Sequence, residues 1–378
     1  MKILMLTSSF GSGYGMGYSS YKEAKCFADL GHEVTVAHCN QDIDAYTDNR
    51  IKFIYLPIKK IKFIDFFFFY FSLKKFFKKV ISINEFDLIY IQSLEFGLLN
   101  LPAIKQPIFY FARSSMIGLN NVLKKEGIRK NLFNKLNFSI LVHLEKKCLR
   151  YAKKVFVKSK IMAGEVKELY GVNSSKLFVV SGGIDENDFK VNNNPDSDFI
   201  KNLSIPLNTK IILYAGRVVP QKGLIYLIKA ALELLEKYNF VVVVAGEHKN
   251  KKYFNSIVEL INNSVYKKSF YFIGHVNQLD MNSIFNIADC VVTPSLYEPF
   301  GMVNLQAAFL GKTVITTEVT GSIDLLGKYS RLNVVKSGSV MDIKNSLKKV
   351  LNNQTNYNLA NYNFKDYLWI DVARQILK

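Results

Sequence analysis

Two short segments in the second half of the chain place cations, an acid and glycines in an order suited to phosphate chemistry. Gly216-Arg217-Val218-Val219-Pro220-Gln221-Lys222-Gly223 follows an apolar run and supplies two cations. Further on, the apolar run Cys290-Val291-Val292-Thr293 enters a polar loop with one carboxylate, Glu298; Gly301 then opens a helix that Gly311 closes. Strand, loop and helix N-terminus in that order bring unpaired backbone N–H groups and a positive helix end to the carboxyl edge of a parallel sheet, which favours bound phosphate. Cleaving a bond to a diphosphate leaves negative charge on the departing group, and preorganised cations at the leaving oxygen are usually the largest catalytic term. Arg217 and Lys222 suit that task; an exposed basic turn is the alternative. Glu298 suits contact with a bound ligand, or a plain capping role at the helix N-terminus.

These segments, with Ala245-Gly246-Glu247 and Gly274-His275-Val276, resemble in order and spacing the retaining, nucleotide-sugar-dependent glycosyltransferases of GT-B architecture, family 4 (group 1) type. Weaker echoes are Gly15-Met16-Gly17, Gly31-His32-Glu33-Val34 and Val180 to Asp185, so the resemblance covers nearly the whole chain. It implies a nucleotide diphosphate-sugar donor and an α-linked product of retained configuration. It implies neither a cofactor nor a metal, with Arg217 and Lys222 doing the work of a divalent ion. By the same resemblance Glu298 contacts the donor hexose, and Phe300-Gly301-Met302-Val303 cradles phosphate. His275 and Val276 frame the nucleobase through backbone groups, Gly216 and Gly246 shape the cleft, and the loop of Gly15 and Gly17 faces donor phosphate or acceptor.

Two positions depart from the family pattern. Gln306 stands where a second glutamate, eight residues after the first, grips the ribose hydroxyls; an amide can accept from one hydroxyl and donate to the other. No histidine occurs in Tyr90-Ile91-Gln92-Ser93 or Phe111-Ala112-Arg113-Ser114-Ser115, where relatives place one near the reacting centre. Arg113 is a candidate for contact with donor phosphate or an anionic acceptor, with an ion-paired surface arginine equally open.

The formal net charge of +19 is uneven: residues 1–190 hold 29 Lys/Arg against 17 Asp/Glu. Lys59 to Lys79 combines seven lysines and one aspartate with a dense aromatic block, a composition suited to an anionic bilayer surface or to a core helix whose lysines reach outward. A second basic stretch from Lys124 to Lys154 extends that charge. The membrane reading implies a lipid-linked or cell-surface glycan acceptor. The aromatic run Phe63–Leu73 is about half of the ~20 residues a spanning helix needs. Four dispersed cysteines, without a CxxC pair, fit a reducing cytoplasm, with the chain expected to be peripheral on the inner face of the membrane. The DxD sequence Asp42-Ile43-Asp44 reads as a solvated turn rather than a metal site.

Short apolar strands alternate with helix-length segments, the pattern of parallel sheets covered on both faces. Strands are expected near 2–7, 33–38, 52–56, 87–91, 107–111, 154–158 and 177–180, with helices near 17–30, 66–82, 129–151 and 161–170. After a polar linker at Asn192–Asp196 come strands near 210–215, 240–245, 270–273, 289–293 and 313–316. The expected architecture is α/β: two doubly wound Rossmann-like domains, 1–190 and 195–360, facing a cleft, with a helix in 361–378 crossing back to the first. A nucleic-acid-binding protein, prompted by the charge, lacks a recognition signature. A non-catalytic partner subunit, prompted by Gln306 and the missing histidine, stays open. Signatures of a sugar-nucleotide epimerase or phosphorylase are not visible.

Overall fold

A computed structural model describes residues 1–11, 15–40, 43, 47–57, 64–81, 85–127, 132–191, 203–206, 208–248, 250–354, 364 and 367–378. The expected linker, both aspartates of the DxD, the start of the basic aromatic run and parts of 361–368 lie outside those residues, as do Ser12-Gly13-Tyr14.

The chain divides into two units, Met1–Gly183 with Tyr367–Lys378, and Ile184–Asp366. In the first, strands β1 (Lys2–Leu6), β2 (Glu33–His38), β3 (Ile51–Tyr55), β4 (Leu88–Ile91), β5 (Ile108–Ala112), β6 (Lys154–Val157) and β7 (Leu177–Val179) alternate with helices α1 (Gly15–Asp29), α2 (Ile64–Phe76), α3 (Met116–Lys125), α4 (Leu132–Tyr151) and α5 (Lys160–Tyr170). The sheet is parallel throughout, in the order β3-β2-β1-β4-β5-β6-β7.

The second unit holds β8 (Lys210–Ala215), β9 (Phe240–Ala245), β10 (Phe270–Gly274), β11 (Cys290–Thr293), β12 (Thr313–Thr317) and β13 (Leu332–Val335). Its helices are α6 (Leu224–Leu234), α7 (Lys251–Asn262), α8 (Gln278–Ile287), α9 (Met302–Phe309), α10 (Ile323–Leu326) and α11 (Val340–Leu351). This sheet too is parallel, in the order β10-β9-β8-β11-β12-β13. Helices cover both faces of such sheets, so strands can be apolar along their whole length, as the fully buried Phe-Val-Val-Val-Val-Ala of β9 shows. In each unit the strand order runs outward in two directions from a switch point, between β1 and β4 and between β8 and β11. Two Rossmann-like domains are thus present.

The last helix, α12 (Trp369–Leu377), belongs to the first unit and packs on α1. Trp369, Val372, Ala373 and Ile376 form its buried face, and the Trp369 ring meets Tyr18 edge-on with centroids 6.3 Å apart. Residues before the expected linker pack with the second unit: the Lys190 amide donates to Asn282 Oδ1 at 3.2 Å, and Phe189 meets Phe285 at 6.2 Å.

Neither α3 nor β13 was expected, nor was α11, which follows β13. One expected helix is broken in geometry: α2 passes into a π-helical turn over Phe77–Ile81. Its inner face is Phe69, Leu73 and Phe76, while Tyr70, Phe71, Lys74, Lys75, Lys78 and Lys79 face outward.

The start of α3 is held by its neighbours. A helix N-terminus leaves backbone N–H groups unpaired. Ser115 Oγ accepts from Gly118 N at 3.0 Å, Glu145 Oε2 of α4 from Met116 N at 3.0 Å, and the Tyr170 hydroxyl of α5 from Ile117 N at 3.1 Å. The Tyr170 hydroxyl donates in turn to Glu145. Burial pushes the Glu145 carboxyl from its usual 4.5 up to about 7. Because folding raises this pKa, its contribution to stability is full below about pH 4.5 and is lost as pH rises through about 7. Glu145→Gln keeps the acceptor and removes the titration. The fall in Tm between pH 5 and pH 8 is therefore expected to be smaller in the variant; equal falls in both proteins would refute this.

Candidate active site

The loops that follow β8 and β11 leave the second sheet on either side of its switch point, and backbone groups lace them together. The Gln221 carbonyl accepts from Leu296 N at 2.9 Å and Tyr297 N at 3.4 Å, while Gln221 Nε2 donates to the Tyr297 carbonyl at 3.1 Å. Gly223 permits this approach. Its φ is +67°, and a β-carbon there would lie 1.9 Å from the Pro294 carbonyl oxygen.

The lacing brings two expected site residues into contact, since Lys222 Nζ donates to Glu298 Oε2. Their side chains are 20% and 15% exposed, so the pair is only partly solvated. Arg217, earlier on the same loop, is exposed. Its carbonyl accepts from the buried Tyr214 hydroxyl at 2.9 Å, which ties the loop to β8. Among the described residues no carboxylate pairs with its guanidinium.

Successive strand ends are stitched in the same manner. Gly216 N donates to the Ala245 carbonyl at 2.8 Å, Val218 N to the Glu247 carbonyl at 2.8 Å, and Gly246 N to the Gly274 carbonyl at 2.6 Å. After β10, His275 is exposed and Val276 buried.

Gly301 caps α9 with φ +91°, and a β-carbon there would come 2.7 Å from Thr320 Cγ2. Phe300 is buried, and its carbonyl accepts from Ser322 N at 2.6 Å. Met302 and Val303 form a half-buried first turn. Gln306, one turn on, is 7% exposed, and no group among the described residues hydrogen-bonds its side-chain amide.

A buried hydroxyl–amide network beneath α9 fixes this loop. Asn304 Oδ1 accepts from Thr293 Oγ1 at 2.7 Å, and Asn304 Nδ2 donates to Thr316 Oγ1 at 2.9 Å and Ser322 Oγ at 3.2 Å. Thr316 donates to Thr320 at 3.0 Å. The Glu298 carbonyl accepts from Gly321 N at 3.0 Å, and Glu298 forms a bridge with Thr320. Sequence reasoning missed this network and Gln221. The run Thr316-Thr317-Glu318-Val319-Thr320-Gly321-Ser322, dense in hydroxyls just past a strand, was the available signal.

Gly15, Gly17 and Arg113 belong to the other unit. Gly15 and Gly17 open α1, where Gly11 N donates to the Gly17 carbonyl at 3.1 Å. Arg113 is no surface arginine. Its Nη2 pairs with Glu23 Oε1 at 3.1 Å, and the side chain is only 10% exposed. Among the described residues, no three of His, Cys, Asp and Glu converge as a metal-binding group, and no helix is long and apolar enough to cross a membrane.

Residues 14–188 match the family model Glycosyltransferase Family 4, and residues 196–366 match Glycosyl transferases group 1. An uncharacterized glycosyltransferase of Methanocaldococcus jannaschii, MJ1607, is 30% identical over 174 residues, 46% of this chain and 44% of that protein. The capsular polysaccharide biosynthesis glycosyltransferase CapM of Staphylococcus aureus is 27% identical over 61% of this chain and 60% of its own length. The chain spans about half the length of the curated relatives it matches. Anabaena HepE, solved in complex with UDP-glucose, superposes with a TM-score of 0.77 at 17% identity, covering 100% of this chain and 98% of that one.

The fold is thus of the GT-B type, and each half of the chain matches a glycosyltransferase family model.

Gly223→Ala is expected to destabilise the second unit by more than about 2 kcal/mol, because strain at positive φ adds to a backbone clash. Gly171→Ala is the control: its φ is +67° with nothing within 4 Å of a β-carbon, so it is expected to cost only about 1 kcal/mol. Equal losses of Tm in the two variants would refute the close-approach argument.

Proposed function

We propose that the chain transfers a hexose or N-acetylhexosamine from a nucleotide diphosphate-sugar to a glycan acceptor, with retention at the anomeric carbon and without a metal ion. The observation that carries this reading is the pairing of Lys222 with Glu298 at the switch point, next to the N-terminus of α9. A cation, an acid and free helix N–H groups together suit a sugar joined to a diphosphate. The UDP-glucose complex named for HepE supports a nucleotide-sugar donor.

In this reading Arg217, Lys222 and the first turn of α9 hold the diphosphate, and Glu298 orients the hexose. Gln306 faces the ribose, while the turn of His275 and Val276 meets the base. Retention commonly uses a carboxylate nucleophile, but a front-face course needs none. The bond from the anomeric carbon to the β-phosphate oxygen breaks, and the acceptor oxygen bonds to the same face of that carbon. The acceptor's proton passes to the departing phosphate oxygen.

Arg217→Ala is expected to lower kcat ~10²–10³-fold, and Gln306→Ala to raise the KM for the donor, in assays with the donor chosen by a thermal-shift screen of UDP-, GDP- and ADP-sugars. Near-normal turnover in the first variant, or an inverted product by NMR, would reject the mechanism; an unchanged donor KM in the second would reject the ribose contact.

The acceptor we assign is lipid-linked or at the cell surface, met at the inner face of the membrane. The outward face of α2 supports this, with Tyr70 and Phe71 42% and 51% exposed beside Lys74, Lys75, Lys78 and Lys79. Each lysine near an anionic surface adds about 1 kcal/mol. Replacing these four lysines with glutamate is expected to abolish sedimentation with phosphatidylglycerol vesicles; undiminished binding would count against the assignment.

A further inference from the structure

The carboxyl edge of the first sheet holds a second cationic cluster. Arg113 follows the end of β5 and Lys158 the end of β6. Phe111 pairs with Phe156 and Ala112 with Val157. Continuing the alternation sets Arg113 and Lys158 side by side on the face that carries Phe111 and Phe156, about 4.8 Å apart in the hydrogen-bonding direction. The contacts agree. The Arg113 guanidinium carbon lies 4.8 Å from the centre of the Phe111 ring, and Lys158 Nζ lies 5.9 Å from the same centre. Both side chains are withdrawn from water, at 10% and 8% exposed.

Glu23, on α1, is the carboxylate facing Arg113. It is 1% exposed, accepts from Tyr90 Oη at 2.8 Å and from Gln92 Nε2, and takes Arg113 Nη2. Three donors thus fix Glu23, and Glu23 fixes the guanidinium. Arg113 Nε and Nη1 are buried and find no acceptor among the described residues. Burying a guanidinium that is short of acceptors is costly, and a bound anion beside it offsets that cost. A tetrahedral phosphate can accept from a guanidinium and an ammonium at once.

We propose that Arg113 and Lys158 form an anion subsite for a phosphate group carried by the acceptor. The proposal rests on the transferase reading and deepens it: the acceptor becomes a phosphate-bearing glycan or lipid, recognised within the first unit.

The test is calorimetric titration of the full chain with inorganic pyrophosphate and with farnesyl diphosphate, each in saturating UDP so that the donor cradle is filled. Wild type is expected to bind both. Lys158→Gln and Arg113→Lys are each expected to weaken pyrophosphate at least tenfold while UDP affinity stays within twofold, which also reports an intact fold. If one variant fails to fold, the other carries the test. No second-site binding in wild type, or equal affinity in a folded variant, would overturn the subsite. If UDP and other nucleotides do not bind wild type at all, it is the transferase reading that fails. Farnesyl diphosphate binding at least tenfold tighter than pyrophosphate supports a lipid-linked source, and equal affinities support a soluble glycosyl phosphate; both uphold the subsite.

Discussion

The lacing of the β8 and β11 loops is the constraint on which the candidate site depends. Strands that neighbour one another at a switch point send their connections in opposite directions, so a crevice opens between them. In this chain the crevice floor is closed by Gln221, whose carbonyl and amide both serve the opposite loop. Within these laced loops the Lys222 ammonium meets Glu298. The absence of a side chain at Gly223 is part of the same constraint, because any β-carbon would push the Pro294 carbonyl away.

Partial desolvation gives the resulting ion pair its interest. Taking charges out of water costs free energy that their mutual attraction offsets only in good geometry, so such a pair is weak evidence for a purely stabilising role. In the proposed reading the ammonium has two competing partners, the carboxylate and a diphosphate. The more highly charged diphosphate draws it off and leaves the acid to meet the sugar. The Asn304 network makes this exchange local. It ties Thr293 and Asn304, which flank the 294–301 loop, to Thr316 and Ser322 through side chains that take no part in the exchange.

Legibility followed the range of the interactions. Strands such as β8 and β9 were plain because a parallel sheet covered on both faces permits unbroken apolar runs, and glycines 216 and 246 mark their ends. The four-residue β13, partly exposed, carries no such run. Helix α3 starts directly after Arg113-Ser114-Ser115, which reads as a loop; what makes it a helix is support from Glu145 and Tyr170, far along the chain. The segments bearing Arg217, Lys222 and Glu298 stood out by residue type. The Gln221 contacts and the threonine network did not, since each joins groups that look ordinary until the fold brings them together. Arg113 shows the same limit: its partner Glu23 lies on a helix whose acids would normally be assigned to solvent.

Helix α12 carries a consequence for how the chain is built. Its apolar face and that of α1 complete one another, yet the whole second unit is synthesised between them. As the polypeptide leaves the ribosome, the first unit must wait with the flank around Tyr18 uncovered while its successor emerges and folds. Order of translation and order of completion are therefore inverted: the unit begun first is finished last.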